Sequence, residues 1–244
     1  MGEWVAHRGQ SVDFPENTLE SIAQAIACGA TAVEFDLQMT ADLVPVVCHD
    51  ISLERTAGEA VDVAGTNYIE LLRYSVGEAE WLGGKFADIR LPALREMVSL
   101  LLPSPQVTAF VELKDESLAV FGIEPFIKQV GDALAPIAGR CVLIADSLDA
   151  LLLARKRYGF PIGWIVHRWD EGDHLLAKEH RLDYLVTGIE HCLHRSHGFA
   201  ADPWEWMVYE TRDMETAATL FTQGIRYVES NDVCAMLASR GKPG

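Results

Sequence analysis

Nine short apolar, often β-branched runs alternate with helical stretches along this 244-residue chain, and no other feature of the sequence limits its fold as strongly. The runs cover Trp4 to Ala6, Ala32 to Leu37, Val44 to Cys48, Val107 to Leu113, Cys141 to Ala145, Ile162 to Val166, Tyr184 to Thr187, Met207 to Tyr209 and Tyr227 to Val228. Strand and helix in regular turn make βαβ units, whose strands lie parallel. Asn17-Thr-Leu-Glu20 after Pro15 reads as a capping-box-like helix start, and that helix should end near Gly29, a residue suited to a left-handed cap. Further helices are expected over Leu94 to Leu102, Glu124 to Leu134, Leu148 to Tyr158 and Met214 to Gln223. About eight such repeats predict an α/β closed barrel. An open nucleotide-binding sheet loses ground, because neither a G-x-G-x-x-G turn after the first strand nor a phosphate-binding G-x-x-x-x-G-K-[ST] loop is present.

Between His49 and Leu91 the repeat breaks into a stretch with no period of its own, expected as a small insertion, residues 51–90, over the barrel mouth. The chain otherwise reads as one domain, 1–244, since α/β barrels reach this length undivided. Thirty-six carboxylates stand against 20 Lys and Arg, a net charge of -16, so the surface repels nucleic acid and anionic membranes. An anionic substrate would therefore have to be met by a local device, a bound cation or a few inward-pointing basic groups. The five cysteines, Cys28, Cys48, Cys141, Cys192 and Cys234, form no C-x-x-C pair and read as free thiols of a reducing compartment. No apolar run is long enough to span a membrane, no leader precedes the Trp4 run, and Ala6 stands where a myristoylation signal needs Ser or Thr, so a cytoplasmic location is expected.

Catalytic groups of β/α barrels gather at the carboxyl ends of the strands. The first strand runs into His7-Arg8-Gly9, and the second carries Glu34 and Asp36 two residues apart, hence on one face, with Phe35 on the other. Two ionised carboxylates on a buried strand need a compensating cation, either basic or metallic. Glu112 and Lys114 repeat the spacing on another strand, so Glu34, Asp36 and Glu112 offer three hard oxygen ligands suited to one divalent cation, Mg²⁺ or Ca²⁺ with Mn²⁺ as a further candidate. Arg8 and Lys114 then supply positive charge for phosphate oxygens. His49 ends the third run, and with His7 it gives two imidazoles that titrate near neutrality, one to take a proton and one to give it.

His7-Arg-Gly, Pro15-Glu-Asn-Thr-Leu-Glu-Ser21, Gly29-Ala, Val33-Glu34-Phe-Asp36, Thr40, His49-Asp50, Leu53-Glu-Arg-Thr56, Leu91-Pro and Val111-Glu112-Leu-Lys114 together resemble the glycerophosphodiester phosphodiesterases. The resemblance implies a TIM (β/α)8 barrel with a small insertion, a metal on Glu34, Asp36 and Glu112, acid/base roles for His7 and His49, and phosphate held by Arg8 and Lys114. It implies a small-molecule substrate, a glycerophosphodiester hydrolysed to glycerol 3-phosphate and an alcohol. Similarity fades after Lys114. Where family members end the seventh and eighth strands on Thr-Val-Asn-like and Thr-Asp segments, this chain has Tyr209-Glu-Thr-Arg212 and Val228-Glu-Ser230-Asn231, so substrate preference is expected to turn on the neighbourhoods of Glu210 and Ser230.

Other candidates read as ordinary structure. His191, His194 and His197 match no zinc spacing and are taken as surface residues. Asp50 is expected to point away from His49 by strand alternation, Glu16 and Asn17 to shape the turn and helix cap, and Arg55 to be solvated. Tyr68, Tyr74, Trp81 and Phe86 are expected to pack as the insertion's own core more than to line a pocket, and Trp164, Trp204 and Trp206 carry the same ambiguity. Two other readings stay open: a phosphodiesterase of lysophospholipids or inositol phosphodiesters, and a non-catalytic barrel for phosphorylated metabolites. The paired histidines weigh against the second, because a binder needs no proton shuttle.

Overall fold

A computed structural model describes residues 2–168, 170–192, 199–209, 211 and 213–239. Its strands are β1 (Glu3–Ala6), β2 (Ala32–Met39), β3 (Pro45–Val47), β4 (Thr108–Leu113), β5 (Cys141–Ala145), β6 (Ile162–Ile165), β7 (Tyr184–Gly188), β8 (Glu205–Tyr209) and β9 (Tyr227–Ser230). Eight of them run parallel in the order β1, β2, β4, β5, β6, β7, β8, β9, and β9 returns to β1 with Val5 beside Glu229, which closes a TIM barrel. The remaining run is corrected. β3 is not a barrel strand but pairs antiparallel with the outer end of β2, Leu37 against Val47. A three-residue strand bounded by loops cannot carry the crossover helix that a parallel neighbour requires.

Alternation sorts the strand residues into two layers. Val33, Phe35, Leu37 and Met39 point outward into the main core against the helices, whereas Ala32 joins Val5, Phe110, Val142, Ile144, Ile165, Val186 and Met207 in the barrel interior. Glu34 and Asp36 continue the inward row of Ala32 toward the mouth, as Glu112 continues that of Phe110. The interior is plugged by aromatics: Phe110 meets Tyr184 and Tyr227 edge-on, with centroids 5.5 and 5.1 Å apart. Phe110 is fully buried. Phe110→Ala is therefore expected to destabilise the barrel by about 3–5 kcal/mol, through lost burial and an unfilled cavity. Denaturant unfolding monitored by circular dichroism measures it.

The first helix is Leu19–Ala27, one turn later than Asn17 would start it. Thr18 is the cap, its hydroxyl accepting from Ser21 N–H while Ser21 returns the bond to Thr18. The helix stops where expected, with Gly29 at φ +95°. Helices Leu94–Leu101, Ile123–Leu134, Leu148–Tyr158 and Met214–Thr222 agree with expectation, while Asp115–Phe121, Glu171–Glu179 and Val233–Ser239 were not foreseen. β3 and the residues from it to Leu94 bury a separate small cluster, Val46, Leu53, Val63, Tyr68, Leu71 and Val76 among them. Tyr68 and Tyr74 pack there, but Trp81 is 79% exposed. Trp204 and Trp206 are buried.

The reading of five free thiols is also corrected. Cys28, at the end of the first helix, is disulfide-bonded to Cys234 in the helix Val233–Ser239, leaving Cys48, Cys141 and Cys192 as buried thiols outside that bond. Barrel closure brings the two sulfurs together across 206 residues of sequence. Among the described residues no helix is long and apolar enough to cross a membrane.

Candidate active site

β1 ends on Ala6, and the chain turns sharply through Arg8 and Gly9, both with positive φ, +54° and +89°. A Cβ on Gly9 would lie 2.5 Å from the backbone carbon of Ser21, so glycine alone fits between this turn and the first helix. Arg8, a non-glycine in the left-handed region, is fixed by its bonds. Its N–H donates to Glu34 Oε2 at 3.0 Å, its Nε lies 3.1 Å from Asp36 Oδ2, and Nη1 donates to Glu16 Oε1 at 3.1 Å. Asn17, also at positive φ (+57°), donates to Asp36 Oδ2 at 2.8 Å and accepts from the Asp36 N–H. The first βα loop thus spends its strain on aiming two side chains at β2.

Glu34, Asp36 and Glu112 each offer an oxygen within 4.8 Å of the others. Lys114 donates to Glu112 Oε1 at 2.6 Å and stands 3.6 Å from Asp36 Oδ1. Burial raises the Asp36 pKa, but the charges of Arg8 and Lys114 outweigh it and hold the carboxyl at about 2. The neighbours go the other way. Burial, with the like charges of Asp36, Glu229 and Glu112, pushes Glu34 well above the carboxylate range, and burial beside Asp36 pushes Glu112 up to about 7. Glu34 Oε1 and Asp36 Oδ1 are buried without a hydrogen-bond partner. Among the described residues, the carboxylates of Glu34, Asp36 and Glu112 crowd this end of the barrel against the cations of Arg8 and Lys114. That imbalance and the two orphaned oxygens fit a divalent cation in the three-carboxylate cradle.

Both imidazoles are held through Nδ1. Asn231 Oδ1 accepts from His7 Nδ1 at 2.7 Å, which keeps a proton on that nitrogen and turns Nε2 toward Glu34 Oε2 at 4.0 Å and Glu229 Oε2 at 3.8 Å. His49 Nδ1 meets Asp50 Oδ1 at 2.5 Å, and Asp50 is gripped by Arg55 Nε at 2.7 Å. Three sequence expectations change here. Asp50 faces His49 because β3 stops at Val47, and strand alternation no longer governs the turn that follows. Arg55 is not merely solvated, since it also forks onto Glu16 at 2.8 and 2.9 Å and joins the insertion to the first loop. Glu16 and Asn17 contact the site directly.

Glu229 and Asn231 are the residues that sequence reading missed. The expectation for this stretch centred on Ser230, whose carbonyl accepts from the His7 N–H but whose side chain faces away from the cradle. Glu210, His194 and His197 lie outside the described residues, and His191 is exposed beside Glu190.

Residues 7–120 match the model of the glycerophosphoryl diester phosphodiesterase family. The match takes in just under half of the chain. Over 110 residues, 45% of this chain and 33% of the relative, it is 38% identical to glycerophosphodiester phosphodiesterase 1 of Rattus norvegicus. Over 120 residues, 49% of this chain and 48% of the relative, it is 33% identical to the glycerophosphodiester phosphodiesterase of Caldanaerobacter subterraneus. The stretch shared with the rat protein thus spans a third of that protein's length. A phosphodiesterase from Oleispira antarctica, solved with the product sn-glycerol-3-phosphate, superposes with TM-score 0.85 at 21% identity, covering 99% of this chain and 98% of the other. That likeness shows the shared barrel. The family match takes in His7, Arg8, Glu34, Asp36, His49, Glu112 and Lys114 and ends before β5, so Glu229, Asn231 and the far rim of the barrel lie beyond it.

Proposed function

We propose that this chain hydrolyses glycerophosphodiesters, small-molecule substrates, to glycerol 3-phosphate and an alcohol, with a divalent cation held by Glu34, Asp36 and Glu112. The observation that carries this reading is the meeting of that cradle with two oriented imidazoles and two cations at one barrel mouth. The bound cation would polarise the phosphoryl oxygens. Arg8 and Lys114, both kept charged because their carboxylate neighbours outweigh burial, hold the remaining phosphate charge. His7 Nε2 and the far nitrogen of His49 carry protons to and from the attacking and leaving oxygens, with Asn231 and Asp50 fixing the tautomers. Residues 1–244 act as one unit in this proposal, with 51–90 as the insertion that delivers Arg55 to the mouth.

The test is turnover of a panel of glycerophosphodiesters, lysophospholipids and inositol phosphodiesters with EDTA and with added Mg²⁺, Ca²⁺ or Mn²⁺. Expected is chelator-sensitive release of glycerol 3-phosphate. Turnover indifferent to chelation overturns the metal-assisted reading.

A cytoplasmic location is proposed on composition, and the Cys28–Cys234 bond argues the other way, because such bonds persist where the surroundings oxidise. Titrating thiols in denatured, unreduced protein from its native cells decides the point. Five reactive thiols mark a reducing compartment, and three, Cys48, Cys141 and Cys192, an oxidising one.

A further inference from the structure

Across the mouth from β1, three polar side chains that the mechanism does not use meet at the ends of three strands. Asp146 follows β5, His167 follows β6, and Tyr209 ends β8. His167 Nε2 is bonded to Asp146 Oδ1, and its Nδ1 lies 3.4 Å from the Tyr209 hydroxyl. The Asp146 carbonyl is itself held by Trp164 Nε1 at 2.9 Å. Tyr209 stands on the inward row above Met207 and packs on the interior cluster, so its hydroxyl faces the barrel axis.

The two sides of the mouth differ in kind. From His7 and Arg8 a cavity of about 640 Å³ runs outward past Glu78 to the exposed Trp81 and Val12, wide and ending on apolar surface. The Asp146–His167–Tyr209 rim instead offers a fixed row of hydrogen-bonding groups: a carboxylate, an imidazole and a phenol. It does not suit a second phosphate. Burial and the charges of Glu190, Asp146, Glu112 and Glu229 push the Tyr209 phenol up to about 12, and the same negative field opposes an anion. Neutral hydroxyls that both donate and accept are the matching chemistry.

We propose that Asp146, His167 and Tyr209 bind the free hydroxyls of the glycerol arm of a phosphodiester, leaving the variable alcohol to the Trp81 side. The assignment rests on the phosphodiesterase reading for where the phosphate sits. A site built to hydrogen-bond a substrate hydroxyl discriminates against the analogue that lacks it. One lost hydrogen bond to a neutral partner corresponds to a change of about tenfold or less.

Calorimetric titration in Mg²⁺ with glycerol 3-phosphate and with propyl phosphate, which lacks both hydroxyls, tests the assignment. Wild type should favour glycerol 3-phosphate by about tenfold or more, and Tyr209→Phe and His167→Ala should each bring the two affinities toward parity. His167 is 66% exposed at its side chain and Tyr209→Phe keeps the ring, so neither change threatens folding. Wild type that binds the two ligands equally or binds neither, or variants that both retain the full preference, overturn the proposal. Turnover of glycerophosphodiesters by wild type is scored separately. A protein that discriminates the ligands yet hydrolyses none keeps the rim and loses the proposed reaction.

Discussion

Glu34→Gln should lower kcat by about a thousandfold or more, because loss of one cradle carboxylate removes several kcal/mol of charge stabilisation and about 4 kcal/mol equals three decades of rate. The substitution keeps the volume and leaves Arg8 N–H an acceptor at the position of Glu34 Oε2. Metal-free Glu34→Gln should melt no lower than wild type near pH 8, since it deletes a buried charge that has no fixed cation of its own. Added Mg²⁺ should raise the melting temperature of wild type only. The pH dependence follows from the raised carboxyls. Glu34 and Glu112 keep protons in the fold at pH values where an unfolded chain has lost them, so metal-free stability falls as pH rises from the ordinary glutamate range through about 7. Metal affinity climbs over the same interval, because the cation competes with those protons. A melting temperature that responds to Mg²⁺ equally in both proteins would sink the assignment.

His7→Ala and His49→Ala should each cost about 10²–10⁴ in kcat, the range for a positioned proton-transfer group, with smaller changes in KM. A substrate with a p-nitrophenolate leaving group separates the two. It needs no protonation on departure, so the variant lacking the general acid recovers most of its rate while the variant lacking the base does not. Asp50→Asn should imitate a weaker His49→Ala, since Asp50 holds the imidazole through Nδ1. If neither histidine variant loses more than about tenfold, proton transfer lies elsewhere.

Much of this centre is legible in sequence because strand alternation is a local rule. Glu34 with Asp36, and Glu112 with Lys114, share a face by spacing alone, and the barrel only has to bring β2 beside β4, Asp36 next to Glu112. Asp50 was misjudged where that rule was carried past Val47 into a turn. Glu229 and Asn231 stand more than 220 residues from the His7 they flank, a distance that only closure of β9 on β1 cancels. The Cys28–Cys234 pair escaped notice for the same reason. Among the helices, Glu171–Glu179 buries only Ala177, so it imprints no apolar stripe for a periodicity to reveal.

The bond from Cys28 to Cys234 makes the covalent chain between them a ring that contains β2 through β9 and the whole insertion. A protease that cut once in the exposed stretch around Trp81 would open the ring without releasing a fragment, so the two pieces would migrate together until reduced. The ring also imposes an order on biogenesis. It cannot be sealed until Cys234, which follows β9, has been synthesised, so in an oxidising folding compartment barrel closure and oxidation would finish together.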